Sequence, residues 1–255
     1  MTATVTIAGA GTVGSISHPL EPGRRIRAVL FDLDGTLYRQ TPVRRRMALE
    51  MMTLPLMRPA AAAGIIRALR SYRHAQEELR GHVGEGSIAA AQIAIAAERS
   101  GLPAATVDAI VDEWMIQRPL KYLRPCLAPG TDALLTRLRE AQVHVGLLSD
   151  YPAADKLRAL GLGGQFSPVL CSSDAHINRF KPDPRGFLAA AEHWGLPPAE
   201  VLMIGDRYEV DFLGARAAGM PCVLVGNPKG VPPADATAVF SSLERLARVI
   251  DSNRP

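Results

Sequence analysis

The sequence predicts an α/β protein: a parallel sheet flanked by helices, carrying a small all-α domain inserted after the first core strand. Three observations carry that prediction. Short apolar runs alternate with helical patterns through the second half of the chain, as strands covered on both faces by crossover helices require. The stretch 39–120 shows helical spacing only. Reactive side chains follow the ends of the apolar runs, which is where an open parallel sheet gathers its site.

Taken in order, residues 1–26 read as an N-terminal arm, flexible or loosely attached, without the pattern of a secretory leader. The arm holds Gly9-x-Gly11-x-x-Gly14. A dinucleotide fingerprint needs a helix starting inside that pattern, and Pro19, Pro22 and Gly23 leave no room for one. The first core strand follows at about 27–32, in the stretch AVLFDLDGTLY that runs from Ala28 to Tyr38. Beyond it, Met47, Met51 and Leu54 share a helix face, as do Ile65, Leu69 and Tyr72, then Ile88, Ala91 and Ile95, then Val107, Ile110 and Trp114. Pro55, Pro59, the Gly81 to Gly86 loop and Gly101 punctuate these stripes, giving about four helices in 39–120.

The core, 27–38 and 121–255, resumes with strand and helix in alternation. Thr131 is placed to cap a helix ending near Glu140, and VHVGLLS (143–149) is the second strand. A helix around 152–161, the strand SPVLCSS, a helix at 184–194 and the strand VLMIGD come next. VDFLGARAAG makes a helix, MPCVLVG a fifth strand, and VFSSLERLARVID a final strand and helix.

Composition narrows the function classes. The 255 residues suffice for one large core or a core with a modest insertion. No run approaches the roughly 18 consecutive apolar residues of a membrane span. Cys126, Cys171 and Cys222 are odd in number and apolar in context, which predicts buried thiols in a reducing cytoplasm. The net charge of +4 is concentrated: Arg39 to Arg80 holds nine arginines and three glutamates, leaving the remainder near −2. Such a segment can face phosphate esters, acidic lipid or nucleic acid, but is more often a solvated helix face. A small-molecule partner is expected rather than nucleic acid, for a monomer or homodimer.

Asp32 leaves the strand and Asp34 follows, with Gly35 free to turn it back toward the same pocket. Two carboxylates in one site repel each other until a cation or a proton relieves them, so a bound metal and a proton-transfer group are both expected. Further on, Ser149 ends GLLSD, Lys181 stands in FKPDP, and Asp206 and Asp211 belong to GDRYEVD. The D-x-D-G-T phrase and these later groups, in this order at strand ends, resemble the haloacid dehalogenase (HAD) superfamily of phosphohydrolases. The resemblance covers about 27–38 and 121–250. It implies a HAD-like, Rossmann-like core and a helical cap over the site.

The resemblance also implies roles. Mg2+ would be ligated by Asp32, Asp206 and the main-chain carbonyl of Asp34, with Asp211 ordering metal-bound water or Lys181 behind them. Asp32 would attack phosphorus to give an aspartyl phosphate, and Asp34 would act as acid and then base. Ser149 would hold phosphoryl oxygens and Lys181 would balance charge. An acid at position 34 fits phosphatases and phosphomutases rather than dehalogenases, so a Mg2+-dependent phosphomonoester hydrolase is expected. The alternatives are a phosphosugar mutase and a non-catalytic binding module using the basic cap. Two departures bear on the substrate: Asp150 stands where related sequences often have Asn, and Arg207 where many have Ser or Thr. In the cap, Arg67, Arg70 and His74 fall on one helix face and can converge on an anion, whereas Arg44, Arg45 and Arg46 must fan out. Asp150, Arg67 and Arg70 are accordingly candidate substrate contacts.

Overall fold

The computed structural model describes residues 16–17, 24–57, 59–81, 86–231 and 238–252. Most of the N-terminal arm, with Gly9, Gly11 and Gly14, lies outside the described residues. Two short strands, β1 (Ile16–Ser17) and β2 (Arg25–Ile26), pair antiparallel and lead into β3 (Ala28–Phe31). All four residues of β3 are buried, with Ala28 and Leu30 facing one hydrophobic cluster and Val29 and Phe31 another. That two-sided burial is why the run is continuously apolar rather than alternating.

Between β3 and the rest of the sheet comes a helical insertion: α1 (Gln40–Met57), α2 (Pro59–Leu79), α3 (Ile88–Ser100) and α4 (Ala104–Val111). A wide π-helical turn over Asp112–Gln117 and tight 3-10 turns to Cys126 complete it. No strand occurs among the described residues of 40–126. Ser87 caps α3 and Gly101, at φ 69°, ends it in the left-handed conformation that glycine adopts without strain. The apolar stripes legible in the sequence are the packed ones. Leu54, Ile65, Leu69 and Trp114 form one cluster, and Ala68, Tyr72, Ala96, Val107 and Val111 another.

The sheet then builds outward on both sides of β3. After α5 (Thr131–Glu140) come β4 (His144–Ser149), α6 (Ala154–Leu160), β5 (Val169–Cys171), α7 (Arg185–Trp194) and β6 (Val201–Gly205). α8 (Leu213–Ala217), β7 (Cys222–Val225), β8 (Val239–Phe240) and α9 (Leu243–Ser252) finish the chain. The order is β5-β4-β3-β6-β7-β8 with every pairing parallel. β3 pairs with β4 on one side and β6 on the other, so the chain reverses its direction of travel there and opens a crevice at the carboxyl end of β3. The two faces are closed by Leu134, Leu157 and Leu246 on one side and Phe187, Trp194 and Ala215 on the other.

Two local expectations are corrected. Gly130, at φ 87°, occupies the cap position of α5, because a side chain there would collide with the backbone of Glu244; Thr131 is the first helical residue and donates to the Ala128 carbonyl at 2.7 Å. The helix after β6 begins as a π turn, Tyr208–Phe212, and becomes α-helical only at Leu213. All three cysteines are free and buried, and among the described residues no helix is long and apolar enough to cross a membrane.

Candidate active site

Asp32 is held where β3 stops: its N–H donates to the Ile204 carbonyl at 2.9 Å, one last bond to β6. Its carboxylate turns into the crevice, 6 % exposed, where Lys181 Nζ donates to Oδ1 at 2.6 Å and Thr36 Oγ1 to Oδ2 at 3.1 Å. Lys181 also donates to Asp211 Oδ1 at 2.7 Å, and Asp211 Oδ2 accepts from the N–H groups of Asp206 (3.2 Å) and Arg207 (3.0 Å). Asp32, Asp206 and Asp211 each offer an oxygen within 4.8 Å of the others. Two glycines permit this crowding. A Cβ on Gly35, which has φ 112°, would strike the Asp206 carboxylate, and one on Gly205 would strike Asp211.

The electrostatics follow from geometry. Burial pushes the Asp32 carboxyl up to about 6, with Lys181 opposing and Asp211 adding to the rise. Burial, then Asp32 and Asp211, push Asp206 up to about 8. Asp206 Oδ1 is buried without a hydrogen-bond partner among the described residues. Such a cluster is short of one positive charge, since a buried carboxylate is costly unless paired. Burial would lower the Lys181 ammonium, but Asp211 and Asp32 hold it well above the usual lysine value.

Asp34 has its own partners. Lys156, from α6 and 5 % exposed, donates to both of its oxygens at 2.7 and 2.8 Å, and the Tyr38 hydroxyl donates to Oδ1. Burial alone would raise the Asp34 carboxyl, yet Lys156 and Tyr38 outweigh it and hold the group below the usual carboxylate value. The sequence pattern alone does not single out Lys156, Tyr38 or Thr36. Of these, Thr36 stands inside the D-x-D-G-T phrase and was the one within reach of a motif argument.

Ser149 ends β4 beside the end of β3, 1 % exposed, its Oγ accepting from the Tyr151 N–H at 3.3 Å. Asp150 does not present a free carboxylate to the crevice: Ser172 Oγ, the Lys181 N–H, Gln76 and Arg80 all donate to it. Above the acids a cavity of about 660 Å³ opens beneath α1 and α2. Arg44, Arg70, Arg73 and His74 line it together with Met47 and Trp114. Arg67 does not line this cavity. Among the described residues no carboxylate pairs with Arg44, Arg70 or Arg73, and burial together with nearby Arg44 lowers the Arg73 guanidinium.

Comparison with known proteins identifies the family and the fold. Residues 26–219 match the family model for haloacid dehalogenase-like hydrolases. A glyceraldehyde 3-phosphate phosphatase of Methanopyrus kandleri is 31% identical over 219 residues, 80% of this chain and 85% of that protein. A phosphoglycolate phosphatase of Xanthomonas campestris pv. campestris is 34% identical over 201 residues, 77% and 81% of the two chains. In fold, a 2-haloacid dehalogenase of Pseudomonas syringae pv. tomato superposes with a TM-score of 0.62 at 23% identity, over 89% of this chain and 99% of that one.

Proposed function

The chain belongs to the haloacid dehalogenase-like hydrolases, and from that membership we propose that it is a cytoplasmic, Mg2+-dependent phosphomonoesterase for a small phosphorylated metabolite. The observation that carries the reading is Asp32, a carboxylate gripped by Lys181 and Thr36 at the carboxyl end of β3 and lining the same cavity as Asp34. Asp34 separates this site from that of a dehalogenase, which needs no second acid.

Asp32 attacks phosphorus, forming an aspartyl phosphate as the ester P–O bond breaks and its electrons leave with the alcohol oxygen. Asp34, whose carboxyl the free site holds below the usual value, takes up a solvent proton as the dianionic ester binds, delivers it to that oxygen, and then takes one from the water that attacks phosphorus and returns Asp32. Lys156 and Tyr38 fix the Asp34 carboxylate for the second step. Lys181 and the Ser149 loop offset the charge of the phosphoryl oxygens. Helices 39–120 act as a cap that covers the site and excludes water.

The residues fit Mg2+: an orphaned buried oxygen on Asp206, three clustered carboxylates, and hard oxygen donors throughout. Asp32, Asp206 and the Asp34 carbonyl would hold it, with Asp211 bracing them. When bound it supplies positive charge to the phosphate. In the metal-free protein Asp32 and Asp206 titrate above their unfolded values, so their contribution to stability is present below about pH 4 and is lost as pH rises through about 6 and about 8. Saturating Mg2+ should therefore raise Tm more at pH 8 than at pH 5, measured by calorimetry with chelator as the blank. An equal shift at both pH values would rule out these acids as the ligands.

The arginines of the cavity roof suit a substrate with a second anionic group beyond the scissile phosphate; Arg70 retains that role from the sequence reading, joined by Arg73. Replacing both with Gln should raise KM for such a substrate at least about tenfold, the loss of roughly 1.4 kcal/mol of binding, while barely altering nitrophenyl phosphate hydrolysis. Equal effects on both substrates would make these arginines structural. The reading as a whole is tested by phosphate release from a panel of phosphomonoesters, phosphoglycolate and glyceraldehyde 3-phosphate included, with Mg2+ and with chelator. Absence of release from every ester in Mg2+ would refute it.

A further inference from the structure

We propose that Arg80 is a positioning residue that neutralises Asp150, so that the loop beginning at Ser149 can accept a phosphoryl dianion. The inference rests on the phosphoryl reading of the site and goes beyond it, because Arg80 belongs to the helical insertion and, although it lines the same cavity, contacts no reacting side chain and reaches Lys181 only at its main-chain carbonyl.

Arg80 follows the last residue of α2 and continues it, its N–H donating to the Gln76 carbonyl at 3.1 Å. Its guanidinium is spread over three acceptors. Nε donates to Glu77 at 2.9 Å, Nη2 to Asp150 Oδ2 at 2.8 Å, and Nη1 to the main-chain carbonyl of Lys181. The two side chains of the Arg80–Asp150 pair are 10% and 12% exposed, and Arg80 lies 6.0 Å over the Phe180 ring. One planar cation from α2 thus ties together the loop after β4 and the loop that carries Lys181. Lysine offers a single point charge and could not fill this fork.

Asp150 itself is divided between two jobs. Oδ1 faces the core, accepting from Ser172 Oγ at 2.8 Å and the Lys181 N–H at 3.2 Å. Oδ2 faces the insertion, accepting from Arg80 and from Gln76 Nε2 at 3.1 Å. An amide side chain satisfies the first job. The second calls for a carboxylate, because an amide nitrogen in the Oδ2 position would confront the donors of Arg80 and Gln76. Asp150 adjoins Ser149 and lines the cavity that also holds Asp32 and Lys181. An unpaired carboxylate there would repel an incoming phosphate; a paired one does not. In this chain the carboxylate at position 150 is compensated by Arg80. Around the pair, Tyr151 extends the same docking, its hydroxyl donating to Gln76 Oε1 at 2.7 Å and accepting from Gln92 Nε2 at 3.2 Å.

The test is a double-mutant cycle on Arg80→Met and Asp150→Asn, read by the inhibition constant of inorganic phosphate against nitrophenyl phosphate hydrolysis, with ligand-free melting alongside. Arg80→Met should weaken phosphate at least about tenfold by leaving Asp150 buried and uncompensated. Adding Asp150→Asn should recover most of that loss, although the double variant retains fewer cross-contacts than either single one. Arg80→Lys, which keeps the charge and guards against a Met variant that fails to fold, should bind phosphate closer to wild type than to Arg80→Met. An Arg80→Met protein with unchanged phosphate affinity, a double variant no better than Arg80→Met, or a Lys variant as weak as Met would each overturn the inference. Wild-type protein that binds no phosphate would sink the phosphoryl reading and this inference with it, whereas wild-type binding without the rescue overturns this inference alone.

Discussion

Asp32→Asn is expected to lower turnover by on the order of 10⁴-fold or more, with no loss of melting temperature. The amide fits the same space and keeps the Thr36 contact, but its oxygen cannot form the phosphoenzyme. Stability should hold or rise, because burial already disfavours the charged form of Asp32 and Lys181 retains Asp211 as its partner. Asp34→Asn should behave differently, slowing turnover while still forming some aspartyl phosphate from an activated nitrophenyl ester. Activity of the Asp32 variant within tenfold of wild type would contradict the nucleophile assignment.

Lys181→Met should damage both activity and stability. Removing the cation that faces Asp32 and the phosphate should cost on the order of 10³-fold in kcat. Breaking a buried ion pair on one side costs about 3–5 kcal/mol, or a fall of about 10 °C in Tm for a chain of this size. The pH dependence has a definite sign. The Lys181 value is raised, so its stabilisation is complete below the unfolded lysine value of about 10.4 and is lost only at more alkaline pH. In the variant, Asp32 loses the cation that opposes its burial beside Asp211, so its ionisation costs more as pH rises. The Tm gap from wild type, measured in chelator, should therefore be wider at pH 8 than at pH 5. A gap independent of pH would show that Lys181 contributes shape rather than charge.

Much of this site was legible before the fold. Asp32 and Asp34 were marked by the aspartates and the glycine that follow an apolar run, and Lys181, Asp206 and Asp211 by their order at strand ends. The glycine at position 35 was readable as a turn; that it makes room for the Asp206 carboxylate required coordinates. Lys156 was hidden because its partner Asp34 is 122 residues away and nothing in its own helix distinguishes it from a surface lysine. Arg67 shows the limit of helical phase. It shares a face with Arg70 and His74 but sits about 4.5 Å farther along the axis, away from the cavity, while Arg73 lines it from a neighbouring phase. Asp150 was flagged by its charge, but its pairing with Arg80 depends on how the helical insertion docks, which periodicity within the insertion does not encode. The fold was legible for the same reason the core motifs were: β3, β6 and β7 are buried along their whole length and β4 from Gly146 onward, so apolar residues dominate them.

Covalent capture of the phosphoryl group is the most direct measurement. Enzyme quenched during turnover of a phosphomonoester in Mg2+ would be reduced with borohydride, which converts an aspartyl phosphate to homoserine, and the peptides mapped by mass spectrometry. Homoserine at position 32, dependent on substrate and absent from Asp32→Asn, is the expected result. An actively turning-over enzyme that yields no modified residue under these conditions, or one modified at any position other than 32, would contradict it.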